Sequence, residues 1–258
     1  MKLINITDIT GYLYCPRKIY LKLVKGIREK PNKKMILGMI KHRIFDAFNK
    51  SEEAIVSSIK EKIKEKEIIE IYEENLKKII EETMNSYSAL AGKFEIKKED
   101  VEEKVGEKIK KEIILRVNAV KKFIDAGFLG KQLWENLKPK YLTEFEILSD
   151  EIGLKGRVDR IQIGNEIIPY ELKSRENIYD SDKLQLAAYA LLLEKEFGKK
   201  IEMGIVEAAK NNEEILISEE LKNKVLEIAD KIRNMQDAEI TSNFAKCQNC
   251  GLREECFQ

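Results

Sequence analysis

The chain has 258 residues, with 47 basic and 46 acidic side chains, four cysteines and one histidine. That length suffices for one large domain or two small ones with a real core, and the 36% charged fraction exceeds the ~25% usual for globular chains. One histidine excludes a His-rich metal centre, no apolar run approaches the ~20 residues that cross a bilayer, and residues 1–8 lack a signal-peptide core, so a cytoplasmic protein with no membrane partner is expected.

Thr7 or Asp8 can cap a helix over residues 7–25, with Ile9, Leu13, Ile19 and Leu23 as its apolar positions and a break near Cys15 imposed by Pro16. Lys30 to Lys34 reads as a loop, and Met35 to Asn49 as a second helix carrying Gly38 and His42. The net charge is only +1, yet between Cys15 and Arg43 ten basic residues, among them Arg17 and Lys18, face a single acid, Glu29. Such a segment suits phosphate binding, and Tyr20 within it and Tyr12 and Tyr14 just before it can stack on bases. It reads equally well as the solvated face of a Lys-rich helix with core tyrosines.

Residues 51–126 repeat isoleucine and leucine at helical steps among Lys and Glu, from Ile55 to Ile80. Gly92 and Gly106 divide this block into three or four predicted helices, a helical insertion whose role the sequence does not spell out. The pattern changes at Pro139. Tyr141–Leu148 alternates as a strand, Leu154–Ile163 is a second strand, and Gly164-Asn165 turns the chain into a third strand over Glu166–Lys173. A helix over about Asp182–Phe197, strands at Ile201–Ala208 and Glu214–Ile217, and an amphipathic helix at Leu221–Met235 follow. The order predicts a mixed α/β domain with helical additions.

The second and third strands carry the chemistry. Gly156-Arg157-Val158-Asp159 lies on one and Tyr170-Glu171-Leu172-Lys173 ends the other. Alternation puts Glu171 and Lys173 on one face, and the hairpin brings Asp159 to the same end. Two carboxylates and a lysine suit metal-dependent phosphodiester hydrolysis, since hard oxygens bind Mg²⁺ or Mn²⁺ and a lysine can orient the attacking water. A surface Glu–Lys pair beside a turn aspartate gives the same pattern. His42, in Gly38-Met39-Ile40-Lys41-His42, can add a ligand, and Gln185 and Tyr189 share one helix face at i and i+4.

Gly-x-x-x-His (Gly38, His42), Gly-x-Val-Asp (Gly156, Asp159), Glu-x-Lys (Glu171, Lys173) and Gln-x-x-x-Tyr (Gln185, Tyr189), in this order, resemble the RecB-type branch of the PD-(D/E)XK nucleases. The resemblance implies an α/β restriction-endonuclease-like core, a mixed β-sheet flanked by helices. It makes His42, Asp159 and Glu171 the Mg²⁺ or Mn²⁺ ligands, Lys173, Asp159 and Glu171 the catalytic set, and Gln185 and Tyr189 supports of the site and of DNA, with Arg17 and Lys18 as further DNA contacts.

Cys15, in Tyr14-Cys15-Pro16-Arg17-Lys18, and the tail Cys247-x₂-Cys250-x₅-Cys256 are similar to the iron–sulfur members, above all the CRISPR-associated Cas-four exonucleases. Four thiolates can hold a [4Fe–4S] cluster, which would staple the two ends of the chain beside the nuclease core; zinc is the rival occupant. The resemblance further implies an exonuclease acting on single-stranded DNA ends, often 5′→3′, that processes DNA for CRISPR spacer acquisition with the CRISPR integrase complex as partner. A RecB-like nuclease of repair, recombination or viral origin, and a DNA-binding module with a decayed site, are the competing readings. The expected organisation is residues 1–50 (N-terminal helical segment with the first cysteine and the histidine motif), 51–138 (helical insertion), 139–235 (nuclease core) and 236–258 (iron–sulfur tail).

Overall fold

Ile4 and Asn5 form a two-residue strand, β1 (Ile4–Asn5), that runs straight into α1 (Ile6–Tyr14). The computed structural model describes all residues except 1, 29, 30, 174, 209, 241–246, 249 and 258. The cap of α1 is Asn5 and not Thr7 or Asp8: its side-chain oxygen accepts from the Thr7 N–H at 3.0 Å, while Asp8 turns inward to pair with Lys22 at 2.5 Å. The expected break falls at Cys15, which is extended (φ −160°), and Pro16 opens α2 (Pro16–Leu23) at the position where its missing N–H costs nothing.

The chain divides into two units. The first comprises Met1–Lys30, Phe145–Ile161 and Glu166–Gln258, and the second Pro31–Glu144 and Gln162–Asn165. The second unit is helical. The helix expected to stop at Asn49 continues as α3 (Lys33–Ser58), because Ile55 and Val56 extend its buried stripe. It is followed by α4 (Glu65–Ser86), α5 (Ser88–Lys93), α6 (Lys98–Asp125) and α7 (Gly130–Asn136). Gly106 does not interrupt α6: buried Val105 and Ile109 flank it and hold the helix through the ~1 kcal/mol penalty of an internal glycine. The core gathers Ile40, Ile44, Phe45 and Phe48 of α3, Ile68 and Tyr72 of α4, and Val117 and Val120 of α6. Within it Arg116 is fully buried and donates to Glu52 at 2.5 Å and to Asn49 at 2.6 Å.

The first unit is built on the sheet. The sheet's strands are β1, β2 (Lys140–Ser149), β3 (Leu154–Ile163), β4 (Ile167–Leu172), β5 (Met203–Glu207) and β6 (Asn212–Leu216), ordered β1-β3-β4-β5-β6 with β2 also pairing β3; the residues of β2 up to Glu144 and those of β3 from Gln162 are counted with the second unit. β1 pairs β3 in parallel, with Ile4 opposite Leu154. β4 and β5 are also parallel, with Glu171 opposite Val206, so the connection between them must cross over, and α8 (Asp180–Phe197) supplies the crossover. α8 is apolar nearly all round, since Leu184, Leu186, Ala187, Ala188, Ala190, Leu192 and Leu193 are buried; it packs on β4, β5, α1 and α9 (Glu219–Arg233). A short helix, α10 (Arg253–Cys256), lies in the tail.

Candidate active site

The end of β4 and the first turns of α8 form one hydrogen-bonded ring. Lys173 Nζ lies 2.5 Å from Glu171 Oε1. Tyr189 donates its hydroxyl to Glu171 Oε2 at 2.8 Å. Gln185 donates its amide to the Tyr189 oxygen at 2.7 Å, and its Oε1 accepts from Lys173 at 3.4 Å. The parallel β4–β5 pairing fixes the strand end, because the Lys173 N–H continues the ladder to the Glu207 carbonyl at 2.8 Å. The i, i+4 spacing on α8 stacks Gln185 and Tyr189 above it. Asp159 joins from β3, accepting the Leu172 N–H on Oδ2 at 2.8 Å. Five of the expected site residues, Asp159, Glu171, Lys173, Gln185 and Tyr189, are thus gathered in the first unit.

The electrostatics of this ring are set by burial. Glu171 is 3% exposed, and burial first, with the Asp159 charge second, pushes its carboxyl up to about 8 against the pull of Lys173 and Tyr189. Burial would lower Lys173, but Glu171 and Asp182 outweigh it and raise the ammonium. Burial likewise raises the Tyr189 hydroxyl, helped by Glu171.

Asp182 and Arg175 belong to this cluster although their pattern gave no notice of it. Asp182 is 1% exposed; it lies 3.3 Å from Lys173 Nζ and accepts from both the Arg175 guanidinium, at 2.6 and 2.7 Å, and the Tyr179 N–H, at 2.8 Å. Against burial, these partners hold its carboxyl below the usual range. As the third residue of α8 it read as a helix start, and only the fold turns that capping carboxylate towards Lys173.

His42 lies in the helical unit, on α3, with Nδ1 2.5 Å from Glu144 Oε2. Glu144 is buried, and Lys41 and Lys108 approach its other oxygen at 3.3 and 3.0 Å. Burial alone would raise this carboxyl, but His42, Lys108 and Lys41 drive it far below the usual range. Glu144 was not marked by any motif; an acid in an alternating strand that also carries Glu146 gives no signal of its partners.

The four cysteines are free thiols, each half-buried. All four line one open pocket in the first unit, together with Tyr14, Lys18, Leu21 and Leu252. The tail cysteines are set by local turns, the Cys250 N–H donating to the Cys247 carbonyl at 3.2 Å and the Cys256 N–H to Leu252 at 3.0 Å. Cys256 is raised by burial, against a hydrogen bond from Arg17. Arg17 further donates to the Ala238 carbonyl at 2.9 Å and lies over the Tyr20 ring at 5.1 Å; Arg17 and Lys18 therefore stand at the cysteine cavity.

The donor sets differ in kind. Asp159 and Glu171 present hard oxygens near enough for one charge to raise the other carboxyl, which fits a divalent cation. Among the described residues no three His, Cys, Asp or Glu side chains converge as tightly as one metal ion requires. The four thiols line one cavity, so a single group bound there could be shared among them.

The model of the PD-(D/E)XK nuclease superfamily matches residues 4–257. The chain is 32% identical, over 153 residues, to a CRISPR-associated exonuclease Cas4/endonuclease Cas1 fusion of Leptospira interrogans serogroup Icterohaemorrhagiae serovar Lai (strain 56601). That match takes in 52% of this chain and only 28% of the relative's length. Among solved structures, the crystal structure of SSO0001 is similar over 43% of this chain and 57% of its own, at 22% identity and a TM-score of 0.31.

Proposed function

The chain belongs to the PD-(D/E)XK nuclease superfamily, and from that premise we propose that it is a divalent-metal-dependent DNA exonuclease with a [4Fe–4S] cluster. The observation that carries the reading is the closed ring of Glu171, Tyr189, Gln185 and Lys173, with Asp159 bonded to the same strand end. Asp159 and Glu171 would hold Mg²⁺ or Mn²⁺. The bound ion supplies Lewis acidity towards the phosphate and a more acidic water. Lys173, held between Glu171 and Asp182, offers a fixed cation to orient the attacking water and offset developing charge. Gln185 and Tyr189 keep Glu171 from swinging away.

Cys15, Cys247, Cys250 and Cys256 would carry the cluster, and their common cavity supports that assignment over four unrelated thiols. Single-stranded DNA ends, 5′→3′ polarity, a role in CRISPR spacer acquisition and a CRISPR integrase partner extend this proposal on the motif resemblance, and the likeness to a Cas4 exonuclease/Cas1 endonuclease fusion supports the exonuclease and partner parts of it. Cleavage of end-labelled single- and double-stranded DNA by the holo-protein with Mg²⁺ or Mn²⁺ is the test. Asp159→Ala and Lys173→Ala should each cost at least about 100-fold in rate, and activity that survives either substitution overturns the assigned site. Anaerobically purified protein should be brown with about four irons per chain; colourless protein with stoichiometric zinc overturns the cluster.

A further inference from the structure

We propose that Tyr179 is a stacking platform for an unpaired base of the DNA strand, with Arg175 and Asp182 tying its ring to the Lys173 end of the site. The platform rests on the reading of the chain as a nuclease of single-stranded DNA, and it names the side chain through which such a strand would be gripped. All of these residues lie in the first unit.

Tyr179 directly precedes α8 and is 53% exposed. A single aromatic side chain at a surface needs no explanation, but this one is held in place. The Arg175 guanidinium lies 4.4 Å from the ring centre. Arg175 is itself clamped, since its Nη2 reaches both oxygens of Asp182 at 2.6 and 2.7 Å and its Nη1 donates to the Asn177 carbonyl. Asp182 also accepts the Tyr179 N–H at 2.8 Å and lies 3.3 Å from Lys173 Nζ. The backbone of Tyr179, and through Arg175 its ring, are thus anchored to the buried carboxylate that touches the lysine. A ring ordered in advance loses little freedom when a ligand stacks on it.

The surroundings select the ligand. A cation over an aromatic ring is attracted to its π-electrons and leaves the open part of the ring surface to a second flat partner. The cations of this loop are each met by an acid, Arg175 by Asp182 and Lys210 by Glu176 at 2.5 Å, and Asp180 adds an exposed carboxylate. A phosphate would meet no surplus of positive charge here, whereas the uncharged, planar face of a nucleobase fits. Inside a duplex those faces are covered by neighbouring base pairs; in a single strand they are free to stack, and stacking on an aromatic ring tolerates any sequence. The platform would therefore favour single strands without reading their bases.

The test reads the stack itself. In Asp159→Ala holo-protein, single-stranded oligonucleotides carrying 2-aminopurine at successive positions report stacking by loss of fluorescence. One position should be quenched with Tyr179 in place and with Tyr179→Phe, and bright with Tyr179→Ala. The alanine substitution should weaken binding about 5- to 150-fold, the loss of one base–aromatic stack. An oligonucleotide abasic at the quenched position should bind the Tyr179 protein equally weakly and lose nothing further on Tyr179→Ala, a coupling that a merely structural tyrosine would not produce. A strand that stays bright at every position, a strand that does not bind, or full affinity in a folded Tyr179→Ala overturns the platform. The quenching and the abasic loss decide even where Tyr179→Ala fails to fold. Cleavage of end-labelled DNA by the native chain separates the two readings: cleavage with a bright strand removes the platform and keeps the nuclease, whereas quenching without cleavage keeps the platform and removes the nuclease.

Discussion

Glu171 is the residue on which the site's protonation turns. Burial and the Asp159 charge place its carboxyl near 8, so in the metal-free protein it keeps its proton through neutral pH. An unfolded glutamate titrates near 4.3. Between these values the folded chain binds the extra proton, and stability therefore falls as pH rises through that window. A metal ion needs the carboxylate, so its uptake must expel that proton. Titration of metal-free protein with Mn²⁺ at pH 7, in buffers of different ionisation enthalpy, should show close to one proton released per ion. The affinity should tighten with pH and level off above about 8. Glu171→Gln removes both effects, and metal uptake without proton release in the native chain would count against the raised carboxyl. The motif spacing disclosed Glu171 and Lys173 as neighbours, yet not this protonation, which comes from burial that spacing cannot express.

At the scale of elements, the two motif glycines have different causes. A Cβ on Gly156 of β3 would stand 2.6 Å from Ile6 Cδ1 and 3.0 Å from Ile6 Cγ1, so the glycine is what lets α1 close on the sheet beside Asp159. Gly38 on α3 has nothing within 4 Å of that position. Gly156→Ala should therefore destabilise by about 1–3 kcal/mol through overpacking, whereas Gly38→Ala should stabilise by about 0.5–1 kcal/mol as a helix interior gains alanine. Urea unfolding of both variants checks the opposite signs. Much of the element order was legible: alternation located β2, the Gly164-Asn165 turn separated β3 from β4, and Pro16 located the break between α1 and α2. β1 was not, because two residues show no period and its pairing with β3 is set 150 residues away in sequence. The end of α3 was missed as well, since a polar Lys50-Ser51-Glu52-Glu53 run imitates a terminus; Glu52 is in truth buried on Arg116. In the site, the paired motifs were readable by spacing, whereas Asp182, Arg175 and Glu144 acquire partners only through tertiary folding.

For the whole molecule, the first unit is sewn from three stretches of chain, and its first and last stretches meet at the cysteine cavity. Cys15 and the tail cysteines face one space, although Cys15 and Cys247 are separated by most of the sequence. A group bound by all four ties off nearly the entire chain, and the unfolded ensemble loses the most freedom from so large a closure. On the chain-entropy relation for a single cross-link, a loop of this size corresponds to about 5 kcal/mol. The apolar support beneath the cavity is small, with Tyr20, Leu21 and Leu252 as its buried members, so packing alone gives this junction little to hold it. Removing the bound group, or substituting Cys15→Ala, should thus lower the stability of the first unit by several kcal/mol and leave the helical core around Phe45, Phe48 and Tyr72 without a direct loss of contacts. Anaerobic urea unfolding of loaded, stripped and Cys15→Ala protein, with iron counted in each, measures the difference. Equal midpoints in loaded and stripped protein would show that packing, and not the thiolates, joins the two ends.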